Sequence, residues 1–123
     1  MILVDSSGWI EYLAGTRSGG VFAPAIEDTE ELIVPTVCVY EVFKVMLARH
    51  GEDAAFLAVS AMRRGHLADL SEELAVGAAA VAVEHRLAMA DSLIYATVLA
   101  RDAELWTTDA HFRRLPRVRL VRA

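Results

Sequence analysis

The chain has 123 residues, a net charge of −5 at pH 7, 55% hydrophobic residues and one cysteine, Cys38. That length supports one domain around one core, the single cysteine excludes an internal disulfide, and the acidic balance excludes nucleic-acid binding by bulk positive charge alone. No apolar run approaches the roughly 18 residues that cross a bilayer, and the opening ILV lacks the basic lead of a secretory signal, so a soluble cytoplasmic protein without membrane association is expected.

Short apolar runs alternate with helical patterns, which predicts an α/β domain built on a mainly parallel sheet. Taken along the chain, Ile2–Val4 is the first candidate strand. A helix follows over Ser7 to Ala14, capped by Ser6 or Ser7 and stopped by Gly15. A weaker helix covers Val21 to Glu27, with Pro24 suited to its first turn. Leu32–Val34 is the second strand, and Pro35-Thr36 opens a long helix through Arg49 that ends at His50-Gly51. Glu52 to Arg64 forms another helix, closed by Gly65. The third strand is His66–Asp69. Ser71 caps a helix reaching His85, and Ala90 to Arg101 forms the last helix. Leu105–Thr107 and Val118–Val121 complete the strands. There is no repeat, low-complexity tract or linker, so residues 1–123 are expected to form a single domain.

Four acids stand out in this frame: Asp5, Glu41, Asp91 and Asp109. Asp5 directly follows the first strand and Asp109 the fourth. In open parallel sheets ligands gather beyond the carboxyl ends of strands, so these two can meet despite their distance in sequence. Asp91 starts the last helix, and Glu41 lies among Val39, Tyr40, Val42 and Phe43 on a helix face expected to point inward. Each acid has a local alternative. Asp5, Asp91 and Asp109 can cap helical turns, and Glu41 can pair with Lys44 or Arg49 at a gain of only about 0.3 kcal/mol. Together they form a convergent carboxylate set, and unpaired carboxylates near a core imply a bound cation. Oxygen donors suit Mg²⁺ or Mn²⁺, whose chemistry includes phosphodiester hydrolysis. Zinc is disfavoured because His50, His66, His85 and His111 lack ligand spacing, and all four are read as structural or solvated. Cys38 is read as a buried packing residue.

The segments VDSSGWIEYL, VCVYEVFKVM, LAMADSLIYATVLA and LWTTDAHFRRLP, spread over nearly the whole chain, resemble those of PIN-domain ribonucleases of the VapC toxin type. The resemblance implies a five-stranded parallel sheet of order 3-2-1-4-5 between helical layers and a Mg²⁺- or Mn²⁺-dependent endoribonuclease site. It places Asp5, Glu41, Asp91 and Asp109 as the catalytic and metal-binding acids, with Ser6 and Thr107 supporting them. Some relatives carry a further acid shortly after the last aspartate, where this chain has His111, Arg113 and Arg114. The resemblance also implies a type II toxin–antitoxin module inhibited by a VapB-like antitoxin, with RNA as substrate. A homodimer face and an antitoxin groove fit the apolar composition; Trp9, Tyr12, Leu13, Val45 and Met46 are the candidates for the groove. Arg113 and Arg114, in an arginine-rich tail, are candidates for RNA phosphate contacts.

Two other functions compete. An aspartyl-phosphate enzyme also places its nucleophile after the first strand, but it wants a second acid two residues on, where Ser7 stands, and a lysine from a later strand, where the only lysine is Lys44. A module that binds metal or RNA without turnover differs from a nuclease only in experiment.

Overall fold

The computed structural model describes residues 1–122. Its elements are β1 (Ile2–Val4), α1 (Ser6–Ala14), α2 (Arg17–Glu27), β2 (Leu32–Pro35), α3 (Thr36–His50), α4 (Glu52–Met62), β3 (His66–Ala68), α5 (Glu72–His85), α6 (Met89–Ala100), β4 (Glu104–Thr107), a 3₁₀ turn (Ala110–Phe112) and β5 (Val118–Leu120). All strand pairs are parallel and the order is β3-β2-β1-β4-β5, as the resemblance implies. The central strands are covered on both faces, so they read as unbroken apolar runs. Leu3, Val4, Leu32, Ile33, Val34 and Leu105 are completely buried.

The register explains where the site falls. Leu3 lies opposite Leu105 and Val4 opposite Trp106, and the pairing persists to Asp5, whose backbone N–H donates to the Trp106 carbonyl at 3.3 Å. The strand order reverses direction at β1 and β4, and the crevice beyond their carboxyl ends is where open α/β sheets hold ligands.

Boundaries agree with expectation within about two residues except at α2. That helix begins at Arg17, capped by the Thr16 hydroxyl that accepts from the Gly19 N–H at 3.0 Å, and Pro24 sits deep inside it rather than in its first turn. Gly19-Gly20 and Pro24 read locally as breakers, but tertiary packing overrides them. A Cβ on Gly19 would stand 2.2 Å from the Glu11 carbonyl oxygen, so glycine there lets α2 lie against α1. Two further corrections concern side chains. Asp5, not Ser6 or Ser7, is the cap of α1. Trp9 is wholly buried, so it belongs to the core and not to a partner groove. Its indole N–H has no hydrogen-bond partner among the described residues. Cys38 is buried as expected.

The two neighbouring glycines are a test of this packing. Gly19→Ala should lower stability by about 2 kcal/mol through backbone overlap. Gly20→Ala, where a Cβ meets nothing within 4 Å, should raise it by about 0.5–1 kcal/mol through helix propensity. Urea unfolding of the two variants reads both signs.

Candidate active site

The site grows from β1 and β4. Asp5 is only 3% exposed, and its carboxylate is held on three sides. Oδ1 accepts from the Ser7 hydroxyl at 2.6 Å and the Gly8 N–H at 3.2 Å, and Oδ2 accepts from the Thr107 hydroxyl at 2.7 Å. Thr107 Oγ1 also accepts the Asp109 N–H at 2.9 Å, so one hydroxyl joins the two aspartates. Ser7 Oγ in turn accepts the Thr108 N–H at 3.2 Å, tying the start of α1 to the end of β4.

Asp91 lies in the first turn of α6, where Ala88 is the cap and makes no side-chain capping bond. The Asp91 carboxylate caps nothing; the one partner found for it is His111, whose Nδ1 lies 3.7 Å from Asp91 Oδ2. Asp109 caps the 3₁₀ turn through the His111 N–H, and its Oδ1 lies 3.1 Å from His111 Nδ1. One ligand atom from each of Asp91, Asp109 and His111 therefore falls within 4.8 Å of the others. Glu41 stands apart from that trio, with Oε1 accepting the Ser6 hydroxyl at 2.9 Å. It makes no ion pair with Lys44 or Arg49 among the described residues. Its charge still reaches Asp91 and the Cys38 thiol.

Electrostatics follow the geometry. Burial pushes the Asp5 carboxyl up to about 6; the bonds from Ser7, Thr107 and Gly8 favour its ionised form but lose to desolvation, and the nearby Asp109 charge adds to the rise. Asp91 is raised as well, first by burial and then by Asp109, with His111 opposing and Glu41 reinforcing the shift. Burial, with the charges of Asp5 and Glu41 behind it, raises the Cys38 thiol far enough to leave it inert at neutral pH. No lysine or arginine pairs with any of the four acids among the described residues. Oxygen donors without a protein counter-charge are the donor set that a hard divalent cation fits.

The sequence pattern brought Asp5, Asp91 and Asp109 to one end of the sheet and the resemblance set Ser6 and Thr107 beside acids; the structure has them there, with Asp5 outside the Asp91–Asp109–His111 trio. Sequence reasoning missed Ser7 as a partner of Asp5, and it did not place His111, whose ring is largely exposed, beside Asp91 and Asp109. The imidazole spacing that signals zinc is sequential, whereas His111 reaches Asp91 across the fold. The other histidines are as expected: His66 bonds the Glu30 carbonyl and His85 packs edge-on against Tyr95. Arg113 lines a cavity of about 440 Å³ with Thr108, Ala110, Glu11, Ser18 and Arg122, next to Asp109; Arg114 is exposed and does not line it.

A second surface lies between α3 and α4. Val39, Tyr40, Phe43, Leu47, Phe56 and Val59 line an almost wholly apolar cleft of about 760 Å³, with Lys44 its only charge. Tyr40 and Phe56 are each more than half exposed.

The PIN domain family matches residues 2–118. Among solved structures, a toxin–antitoxin complex from Klebsiella pneumoniae superposes with a TM-score of 0.80 at 23% identity, covering 97% of this chain and 96% of that one. VapC20 of Mycobacterium tuberculosis, a sarcin–ricin loop cleaving toxin, gives 0.77 at 17% identity over 94% and 95%. VapBC2 of Rickettsia felis, bound to a DNA fragment from its promoter, gives 0.74 at 15% over 98% and 97%. No curated protein matches the sequence significantly. At these identities the structural likenesses establish the shared α/β/α fold.

The buried carboxylate sets a pH dependence. Unfolded, Asp5 titrates near 3.8; folded, at about 6, so the folded state binds its proton more tightly and loses stability as pH rises between these values. A difference of that size corresponds to about 3 kcal/mol, fully expressed above the higher value. In EDTA, the stability of Asp5→Asn relative to the parent should therefore climb by about 2–3 kcal/mol from pH 4 to pH 7.5 and then level off, as read by urea unfolding. A flat difference across that range would place the Asp5 carboxyl at an ordinary value.

Proposed function

Because the chain belongs to the PIN domain family, we propose that it is a metal-dependent endoribonuclease of the VapC toxin type, acting on RNA and held inactive by a VapB-like antitoxin. The observation that carries this reading is the meeting of Asp91 and Asp109 within ligand distance, beside the buried Asp5, with no lysine or arginine paired to them among the described residues. Asp5, Asp91 and Asp109 would hold Mg²⁺ or Mn²⁺, with Glu41 as a direct or water-mediated partner. An ion bound there supplies Lewis acidity toward a phosphodiester and acidifies a coordinated water.

The chain's own residues do the positioning. Thr107 and Ser7 fix both oxygens of Asp5, Thr107 fixes the backbone of Asp109, and Ser6 fixes Glu41. A carboxylate held by such bonds spends little on reorganisation when it engages a cation or substrate. Arg113, with Arg122 in the adjoining cavity, supplies guanidinium donors for RNA phosphates on the Asp109 side. Arg114 has no comparable placement.

Two apolar features suit partners. The cleft between α3 and α4 fits an amphipathic antitoxin segment better than the surface nominated from sequence, since Trp9 is in the core. Helix α5 is apolar nearly all round, leaving Val76 and Val83 strongly exposed, and a homodimer would cover them. The relatives solved as VapBC and toxin–antitoxin complexes support an antitoxin partner. A module that binds RNA or metal without turnover is the alternative.

Cleavage of a mixed pool of tRNA and single-stranded RNA by antitoxin-free protein separates the two. Cutting should require Mg²⁺ or Mn²⁺, stop in EDTA, and fall at least about 100-fold in Asp5→Asn and Asp91→Asn while both variants stay folded. Parental activity in Asp91→Asn would remove that residue from the site, and RNA binding without cutting by the parent would favour the binding module. For the cleft, Phe56→Asp should weaken capture of the cognate antitoxin by about tenfold or more, with RNA cleavage by the free toxin unchanged, because Phe56 is exposed and none of the four acids lines its cleft.

A further inference from the structure

Resting on the reading of the acidic set as a cation site, we infer that His111 is a nitrogen ligand of that site and shifts its preference from Mg²⁺ toward first-row transition ions such as Mn²⁺. Three features of the chain carry this. His111 is not a freely wandering surface residue: Asp109 caps its turn, the Phe112 N–H bonds the Asp109 carbonyl, and the fully buried Phe112 side chain anchors the turn to the core. The backbone therefore delivers the imidazole to one place even though the ring is largely exposed.

Second, the ring presents Nδ1, rather than its outer edge, to both aspartates at once. Donors sharing one octahedral ion at about 2.1 Å stand about 3.0 Å apart at neighbouring positions. Nδ1 lies 3.1 Å from Asp109 Oδ1 and 3.7 Å from Asp91 Oδ2. These separations match ligands of one ion with little movement. A simple surface ion pair would need only one of the two contacts.

Third, the donor chemistry has a direction. Two carboxylates alone suit Mg²⁺, Ca²⁺ and Mn²⁺ without strong discrimination, whereas imidazole is a poor ligand for Mg²⁺ and a good one for Fe²⁺, Ni²⁺ and Zn²⁺, with Mn²⁺ the weakest of the first-row ions but still ahead of Mg²⁺. Adding one nitrogen to an oxygen set raises affinity for Mn²⁺ and leaves that for Mg²⁺ nearly untouched.

The test uses the antitoxin-free chain with Mn²⁺ alone, in the absence of RNA. Electron paramagnetic resonance of bound Mn²⁺ should show ¹⁴N coupling from a coordinated imidazole, lost in His111→Ala. Mn²⁺ affinity should fall about tenfold in that variant while Mg²⁺ affinity, measured by competition, changes less than about threefold. His111→Asp, which keeps a ligand but makes it oxygen, should restore binding with the Mn²⁺-over-Mg²⁺ ratio moved about tenfold toward Mg²⁺. Bound Mn²⁺ that requires Asp91 and Asp109 yet shows no ¹⁴N coupling, or an unchanged ratio in His111→Ala, overturns the inference and leaves the acidic site standing. Absence of any bound Mn²⁺ in the parent overturns both.

Discussion

The parallel pairing of β1 with β4 is the constraint on which the site depends. It brings Asp5 and Thr107, 102 residues apart, into a 2.7 Å hydrogen bond inside the protein. That bond is one of three that the Asp5 carboxylate accepts, and without them a carboxylate this buried would be far more costly. Burial still wins, since the group is raised and not lowered. The fold thus holds an acid where water cannot screen it, a state that an arriving cation would relieve. A network whose members all face one hydroxyl, Thr107, is stiff, because moving β4 relative to β1 breaks the support of Asp5 and Asp109 together.

Convergence of chain ends adds to this. Asp5 precedes α1, Asp91 lies in the first turn of α6, and Asp109 opens the 3₁₀ turn. Helix N-termini carry partial positive charge, which favours carboxylates nearby by about 0.3–1 kcal/mol each. Capping and a functional role are therefore not rivals at Asp5 and Asp109, since one carboxyl does both. At Asp91 they separate. Its carboxylate accepts no capping bond and faces His111 and Asp109, so the helix dipole alone, and no cap, favours an acid there locally.

What was legible in the sequence follows the same physics. Strand ends are marked by the switch from apolar run to Asp, and the inward face of α3 by the apolar neighbours of Glu41, so the acids could be located from pattern alone. The N-terminal half of α2 could not, because Gly19 and Gly20 look like a loop until the nearness of the Glu11 carbonyl is known. Trp9 looked like a partner contact because an aromatic near the chain start carries no label of burial. The approach of His111 to Asp91 was out of reach for a related reason: it is set by a turn and a helix that meet only in three dimensions. The cleft of Tyr40, Phe43 and Phe56 was invisible because aromatic residues on two consecutive helices read as core.

Helix α3 joins the two surfaces. Cys38 and Val42 turn into the core, Glu41 turns toward Ser6 and the acids, and Tyr40, Phe43 and Leu47 line the cleft. Neighbours in sequence on a helix are about 100° apart around its axis, so Tyr40 and Phe43 share one face, about 60° apart, with Glu41 about 100° round from Tyr40. The bond from Ser6 is the only hydrogen bond found for the Glu41 side chain, so a small rotation of α3 would move Glu41 while leaving the Asp5–Thr107 core of the site in place. That single part-buried bond is the kind of contact whose loss costs about 1 kcal/mol, so Glu41 is held less firmly than Asp5, which accepts three.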